Sequence, residues 1–355
     1  VSQKTKRAMG FLLYFSGLWR LARGKKFTIL SYHRICEKHY GDPFLCVTPQ
    51  NFERQIQYLK RRYAIISLTE LIKLMSQPEL TDEQFLAITF DDGYRDNYTY
   101  AYPILKKYRV PATIFLTTGY IDTDKLFWWD RLARVVKAIN GKNGKLRFKE
   151  DIYPIEMKKS LDLMLSSDEP NHKEAMPRLC LMFKEMEEKK RERILDDLEK
   201  QMGEALTDGR ERPYPLSWKE IKEMNEGGIS FGSHTVNHTI LSRVELTRAR
   251  EEIVQSKLEI EKRIGKKVEH FSYPNGRKED FNREMKELLK DNNYLSACSA
   301  INGATGRHDD LFSLKRRDVT NSPVYIFALK VSGIFDWFWL KTEKGKINQY
   351  ETLFS

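Results

Sequence analysis

A chain of 355 residues with 41% hydrophobic and 31% charged residues has the balance of a globular protein of one large domain or two ordinary ones. Its net charge of +11 is uneven: the first 26 residues carry seven Lys/Arg and no acid, which leaves only about +4 for the rest. That distribution argues against a broad nucleic-acid-binding face and for a local basic tail. Cys36, Cys46, Cys180 and Cys298 show no zinc spacing. They read as free thiols in a reducing compartment, with a Cys36–Cys46 bridge as the alternative.

The tail reads AMGFLLYFSGLWRLARGKK over residues 8–26. Its apolar part, Met9 to Ala22, is short for a span of roughly 20 residues and contains Arg20. It shows no small-x-small cleavage site, so a cleaved signal peptide is not expected. Residues 1–26 are therefore an interfacial helix in peripheral contact with anionic membrane or a segment packed on its own domain, with a membrane span as a further alternative. The first reading favours a substrate met at the cytoplasmic face; an outward-facing, membrane-anchored chain is the alternative.

FTILSYHRI (27–35) reads as a strand. TPQNFERQIQYLKRRY (48–63) reads as a helix capped by Thr48, with Pro49 at the first helical position. SLTELIKLM (67–75) repeats the helical pattern. A strand over 85–90, a helix near 96–108 and a strand over 112–118 follow. This alternation indicates parallel βαβ units. Residues 123–212 lack strand runs and read as a helical insertion. Within it, 183–202 is a mixed-charge helix with a solvated face. Trp128 and Trp129 either line a sugar-binding rim or pin the insertion to the core. Alternation resumes with a Ser217-capped helix, strands over 229–235, 268–276 and 294–299, and helices over 246–267 and 278–290. Six or seven strand–helix units fit a (β/α) barrel better than two small domains. Residues 27–355 then form one barrel domain.

Polar clusters fall at strand ends, where barrel active sites gather. FLAITF (85–90) ends in Asp91 and Asp92, which repel each other unless a positive group waits there. SHTVNH places His234 and His238 four apart, a spacing that suits one face of a helical turn and a shared metal. Two histidines and a carboxylate suit Zn²⁺ or another borderline divalent ion, and also a non-haem iron centre. The second acid favours hydrolysis, because water bound at a metal still needs a base. Arg317, in LKRRDV (314–319), is a candidate to hold Asp91 ionised, with a surface charge cluster as the alternative.

TFDDGY (89–94), SHTVNH (233–238) and YPNG (273–276), in this order, resemble the first three motifs of the polysaccharide deacetylases, carbohydrate esterase family 4. The resemblance implies a distorted (β/α)₇ barrel and metal-dependent, mostly Zn²⁺-type, hydrolysis of N-acetyl groups on sugars of a polysaccharide or lipid-linked saccharide. It implies Asp91 as general base and Asp92, His234 and His238 as metal ligands. A backbone N–H near Tyr273 would face the developing oxyanion. SYHRI (31–35) resembles the early motif of the poly-N-acetylglucosamine branch and implies His33 as general acid. The pattern departs at Ser272, where the family has Arg, and no late catalytic His is evident; His308 lies in a polar loop. A non-sugar amidase and a silent carbohydrate-binding relative are the competing readings.

Overall fold

The computed structural model describes residues 11–17, 27–37, 45–77, 83–139, 153–166, 172–203, 206 and 214–334. Residues 11–16 form a short helix, α1. Seven parallel strands close into a barrel. They are β1 (Phe27–Tyr32), β5 (Phe85–Phe90), β6 (Thr113–Leu116), β7 (Ser230–Ser233), β8 (His270–Ser272), β9 (Ser296–Asn302) and β10 (Leu314–Asp318). Closure is direct: β1 pairs with β5 from Phe27↔Phe85 to Tyr32↔Phe90, and with β10 at Leu30↔Arg317. Three short strands accompany them. Those are β2 (Arg34–Ile35) on β3 (Cys46–Val47), and β4 (Ala64–Ile65) on the start of β5.

Strands β1 and β5 form where apolar β-formers run with little interruption. FTILSY and FLAITF are buried at every position, as parallel strands covered on both faces must be. The helices of this unit are α2 (Pro49–Lys60), α3 (Leu68–Met75), α4 (Tyr102–Tyr108), α9 (Trp218–Glu226), α10 (Leu246–Ile264), α11 (Arg283–Asp291) and α12 (Val324–Ser332). Thr48 caps α2 with its side chain, and Ser67 and Ser217 close capping boxes with Glu70 and Glu220. Helix α4 is entered through a π-helical turn, Asn97–Ala101.

The segment 314–319 carries barrel strand β10, on which Arg316 finds buried partners inside. Two expectations change. The helix expected over 278–290 begins at Arg283, since Asp280 accepts from the Arg277 N–H and organises a loop there. Cys36 and Cys46 are joined by a disulfide, and only Cys180 and Cys298 are free thiols. The bridge ties the segments that β2 and β3 already pair.

Lys125–Tyr214 belongs to a second compact unit, whose helices are α5 (Trp128–Ile139), α6 (Ile155–Ser166), α7 (His172–Glu185) and α8 (Glu188–Met202). The charged run 183–202 is thus two helices, with Glu187 in an extended conformation before α8. One face of α8 is occupied rather than simply solvated: Glu192, Asp196 and Glu199 converge on Arg131 of α5 at 2.6–2.7 Å. Trp128 and Trp129 are buried, and Trp128 stacks on Phe183, so the pair packs within its own unit. The aromatic run IFDWFWL (334–340), which the sequence suggests for core packing or a membrane-facing edge, lies outside the described residues beyond Ile334.

Candidate active site

The end of β5 separates the two acids. Asp91 continues the ladder by donating its N–H to Tyr32 O. Asp92 and Gly93 then take φ of 73° and 77°. The left-handed φ favours glycine at the second position, and a Cβ there would lie 2.9 Å from Leu116 Cδ2, which would have to shift. This turn sends the carboxylates to different partners.

Asp91 is buried and meets Arg316 end-on, with Oδ1–Nη1 at 2.8 Å and Oδ2–Nη2 at 2.7 Å. Ser272 Oγ donates to Asp91 Oδ2 at 3.3 Å and accepts from Arg316 at 3.0 Å. Arg316 also donates to Ser299 O and Thr89 Oγ1. Burial pushes the Asp91 carboxyl up, but the Arg316 charge and hydrogen bonds outweigh it and hold the group below the usual carboxylate range. The Arg that the family pattern sets two residues before the Pro is replaced by one arriving from β10 beside Ser272. Arg317, the residue expected on Asp91, faces the opposite way, near Tyr63. Neighbouring strand residues alternate faces, so only one of the two can point inward.

Asp92 faces the histidines. Its Oδ1 is 3.5 Å from His234 Nε2 and 3.4 Å from His238 Nε2. His234 extends β7, with its N–H on Leu116 O, and its Nδ1 lies 2.7 Å from Ser272 O. A carbonyl only accepts, so Nδ1 carries the proton and Nε2 presents a free lone pair. The pair is not helical, as the spacing suggested. A loop with Thr235 at φ 67° and His238 at φ 57° brings the rings together. Burial pushes Asp92 up, and the two imidazoles overcome it and drive the carboxyl far down. Burial also lowers both histidines; Asp92 and Asp91 reverse this at His234 but not at His238.

One ligand atom from each of Asp92, His234 and His238 lies within 4.8 Å of the others. Asp92 Oδ1 is buried without a hydrogen-bond partner among the described residues. An orphaned carboxylate oxygen facing two imidazole Nε2 atoms fits a divalent cation.

His33 sits half-buried between β1 and β2, close enough to act electrostatically on both acids. Asn97 Nδ2 donates to its carbonyl, and Asp96 accepts from the Ile35 N–H, so the turn after β5 fixes the chain on both sides of it. Tyr273 does not offer the expected N–H. That group is spent on Cys298 O in the ladder, and the phenol donates to Phe312 O. Asn275, at φ 61°, is the next residue in the motif with an N–H, and no hydrogen bond of the described residues uses it. His270 lies at the opposite end of β8, and His308 is exposed.

A parallel barrel whose strand ends carry a salt-bridged carboxylate beside an Asp–His–His cluster defines a hydrolase site on a (β/α)₇ scaffold. The family described as polysaccharide deacetylase matches residues 79–140 and 176–297, over half of the chain, and the chain belongs to that family. Its members are hydrolases of the amide bond in N-acetylated sugars. YxkH of Bacillus subtilis (strain 168), provisionally named a polysaccharide deacetylase, is 23% identical over 292 residues, covering 82% of this chain and 70% of its own length. The poly-beta-1,6-N-acetyl-D-glucosamine N-deacetylase of Staphylococcus aureus (strain N315) is 27% identical over 155 residues, or 39% of this chain, which spans about half (53%) of that relative. The solved Streptococcus pyogenes deacetylase PplD in complex with acetate shares the fold, with a TM-score of 0.56 at 22% identity over 87% of this chain and 99% of that one.

Proposed function

We propose that this chain removes N-acetyl groups from an N-acetylglucosamine-containing polysaccharide or its lipid-linked form, using the Asp92–His234–His238 cluster and Asp91. The observation that carries the reading is the division of labour after β5: one carboxylate among metal-type donors, its neighbour kept ionised by Arg316. The Staphylococcus relative and the early His33 motif support the choice of sugar. Asp92, His234 and His238 would hold the ion, and their nitrogen and oxygen donors suit Zn²⁺. A divalent ion bound there supplies Lewis acidity and eases deprotonation of water.

Asp91 accepts the proton of the attacking water as its oxygen bonds the acetyl carbon. Arg316 keeps Asp91 ionised for that step. The Asn275 N–H replaces Tyr273 as the backbone donor proposed for the developing oxyanion. His33 donates a proton to the sugar nitrogen as the C–N bond breaks, giving acetate and a free amine.

The test is acetate release from free and lipid-linked N-acetylated saccharides by metal-reconstituted protein. Asp91→Asn is expected to keep metal binding and lose roughly 10²–10⁴-fold in turnover. Full activity in that variant removes Asp91 from the base role.

The site of action is also a proposal: the outer face of a membrane, held peripherally by α1. A disulfide forms in oxidising compartments, which favours the outward alternative over a cytoplasmic one. Phe11, Leu12 and Phe15 of α1 are exposed, while Leu13 and Tyr14 pack on the core. A helix apolar on both faces with one face already packed supports a lipid contact for the other. No helix among the described residues is long and apolar enough to cross a membrane.

A further inference from the structure

Glu252 stands on α10, outside every catalytic motif, with its carboxylate buried. Four hydrogen bonds reach it, all from one segment. Oε2 accepts from the Val236 N–H at 2.8 Å and the Asn237 N–H at 2.9 Å. Oε1 accepts from Asn237 Nδ2 and from the Thr239 hydroxyl, both at 2.9 Å. These donors straddle His238. A carboxylate buried among neutral donors is tolerated only where its hydrogen bonds are made, so this geometry is tightly specified.

The segment it grips is one the backbone would not adopt unaided. Thr235 is β-branched and sits at φ 67°, and His238 sits at φ 57°. Such conformations persist where surrounding contacts over-determine them, and they cluster at functional sites. His234 is fixed independently, by Leu116 O and Ser272 O. His238 lies inside the gripped segment.

We propose that Glu252 is the positioning residue of this site: by clamping residues 236–239 it holds His238 Nε2 beside Asp92 and so sets the affinity for a divalent ion. The inference rests on the metal-centre reading above. Relaxing the clamp would let residues 235–238 move toward ordinary φ values and withdraw one of three ligands, while Asp92 and His234 stay in place.

The experiment is Zn²⁺ titration of metal-free protein against a chromophoric chelator, with Co²⁺ absorption as a signature of the ligand set. Glu252→Gln replaces one acceptor oxygen with an amide that faces other donors. It is expected to weaken Zn²⁺ binding by about 10- to 100-fold and to change the Co²⁺ spectrum. In a His238→Ala background the same substitution should add less than about twofold, because the ligand it positions is gone. Unchanged affinity in Glu252→Gln overturns the proposal. So does an equal loss in both backgrounds, which would mean that Glu252 acts on the whole fold. Should Glu252→Gln not fold, Thr239→Val deletes one donor and keeps the carboxylate. Several-fold weaker binding at an unchanged melting temperature is then expected, and unchanged affinity overturns the idea. Wild-type protein that binds neither ion would instead refute the metal centre itself.

Discussion

Adjacent carboxylates coexist at the end of β5 because each has its own counter-charge, and for Asp91 that counter-charge is Arg316. Both side chains are buried, so removing one partner strands the other. Arg316→Met should cost about 3–5 kcal/mol near neutral pH, measured by urea denaturation. The sign of its pH dependence follows from Asp91. Its folded pKa is depressed, so the stability it contributes is present above the unfolded value and is lost as pH falls through the folded one. In the variant, burial is unopposed by Arg316 and Asp91 protonates more readily, so the penalty should shrink in acid. Adding Asp91→Asn should recover part of the loss. A single-variant cost under about 1 kcal/mol would show that the pair matters little here. Asp91, Asp92, His234 and His238 were legible because their motifs are dense and ordered. Arg316 was not, since choosing between two adjacent arginines requires the parity of β10, which its charged sequence hides. Tyr273 misled for a similar reason: no sequence shows whether a peptide N–H is already used in a ladder.

At the scale of elements, apolar strands and capped helices were readable, and Thr48, Ser67 and Ser217 stand where their helices begin. What escaped were elements whose stability comes from tertiary partners, such as β10 and the two-residue strands. Strand β8 shows the same dependence at its N-terminal end. The Thr69 hydroxyl of α3 donates to Glu269, so His270 Nε2–H donates to Thr69 and Nδ1 accepts from Ser296 of β9. This joins three elements around a neutral imidazole. Burial, helped by the Lys257 charge, lowers the His270 pKa to about 4. A lowered histidine contributes its stability in full above the unfolded value near 6.5 and loses it as pH falls toward 4. The contribution is about 3 kcal/mol at most. Urea melts at pH 7.5, 6 and 4.5 should therefore show stability falling with acid, and His270→Asn should flatten part of that slope. An identical slope in the variant would place the acid sensitivity elsewhere.

For the molecule as a whole, the barrel leaves two features that the reaction does not need: a disulfide near its first strand and a helix with apolar side chains in solvent. The bridge closes a loop of about ten residues, worth roughly 2–3 kcal/mol by loop entropy. An oxidising compartment favours its formation, whereas the cysteine spacing alone suggested free thiols. Phe11, Leu12 and Phe15 lie in a 26-residue stretch that carries seven cations and no acid. Apolar insertion and attraction to anionic headgroups act together on such a segment, and the electrostatic part is screened by salt. In fractionated cells making this chain, it should sediment with membranes and be released in part by high salt. Replacing Phe11, Leu12 and Phe15 by Ser should move it to the soluble fraction without changing the melting temperature of the barrel. Denatured membrane-bound protein should react with maleimide at the two free cysteines, Cys180 and Cys298, and at all four only after reduction. Four reactive thiols before reduction would rule out the outer face. Membrane binding unaffected by the triple substitution would shift the anchor away from α1.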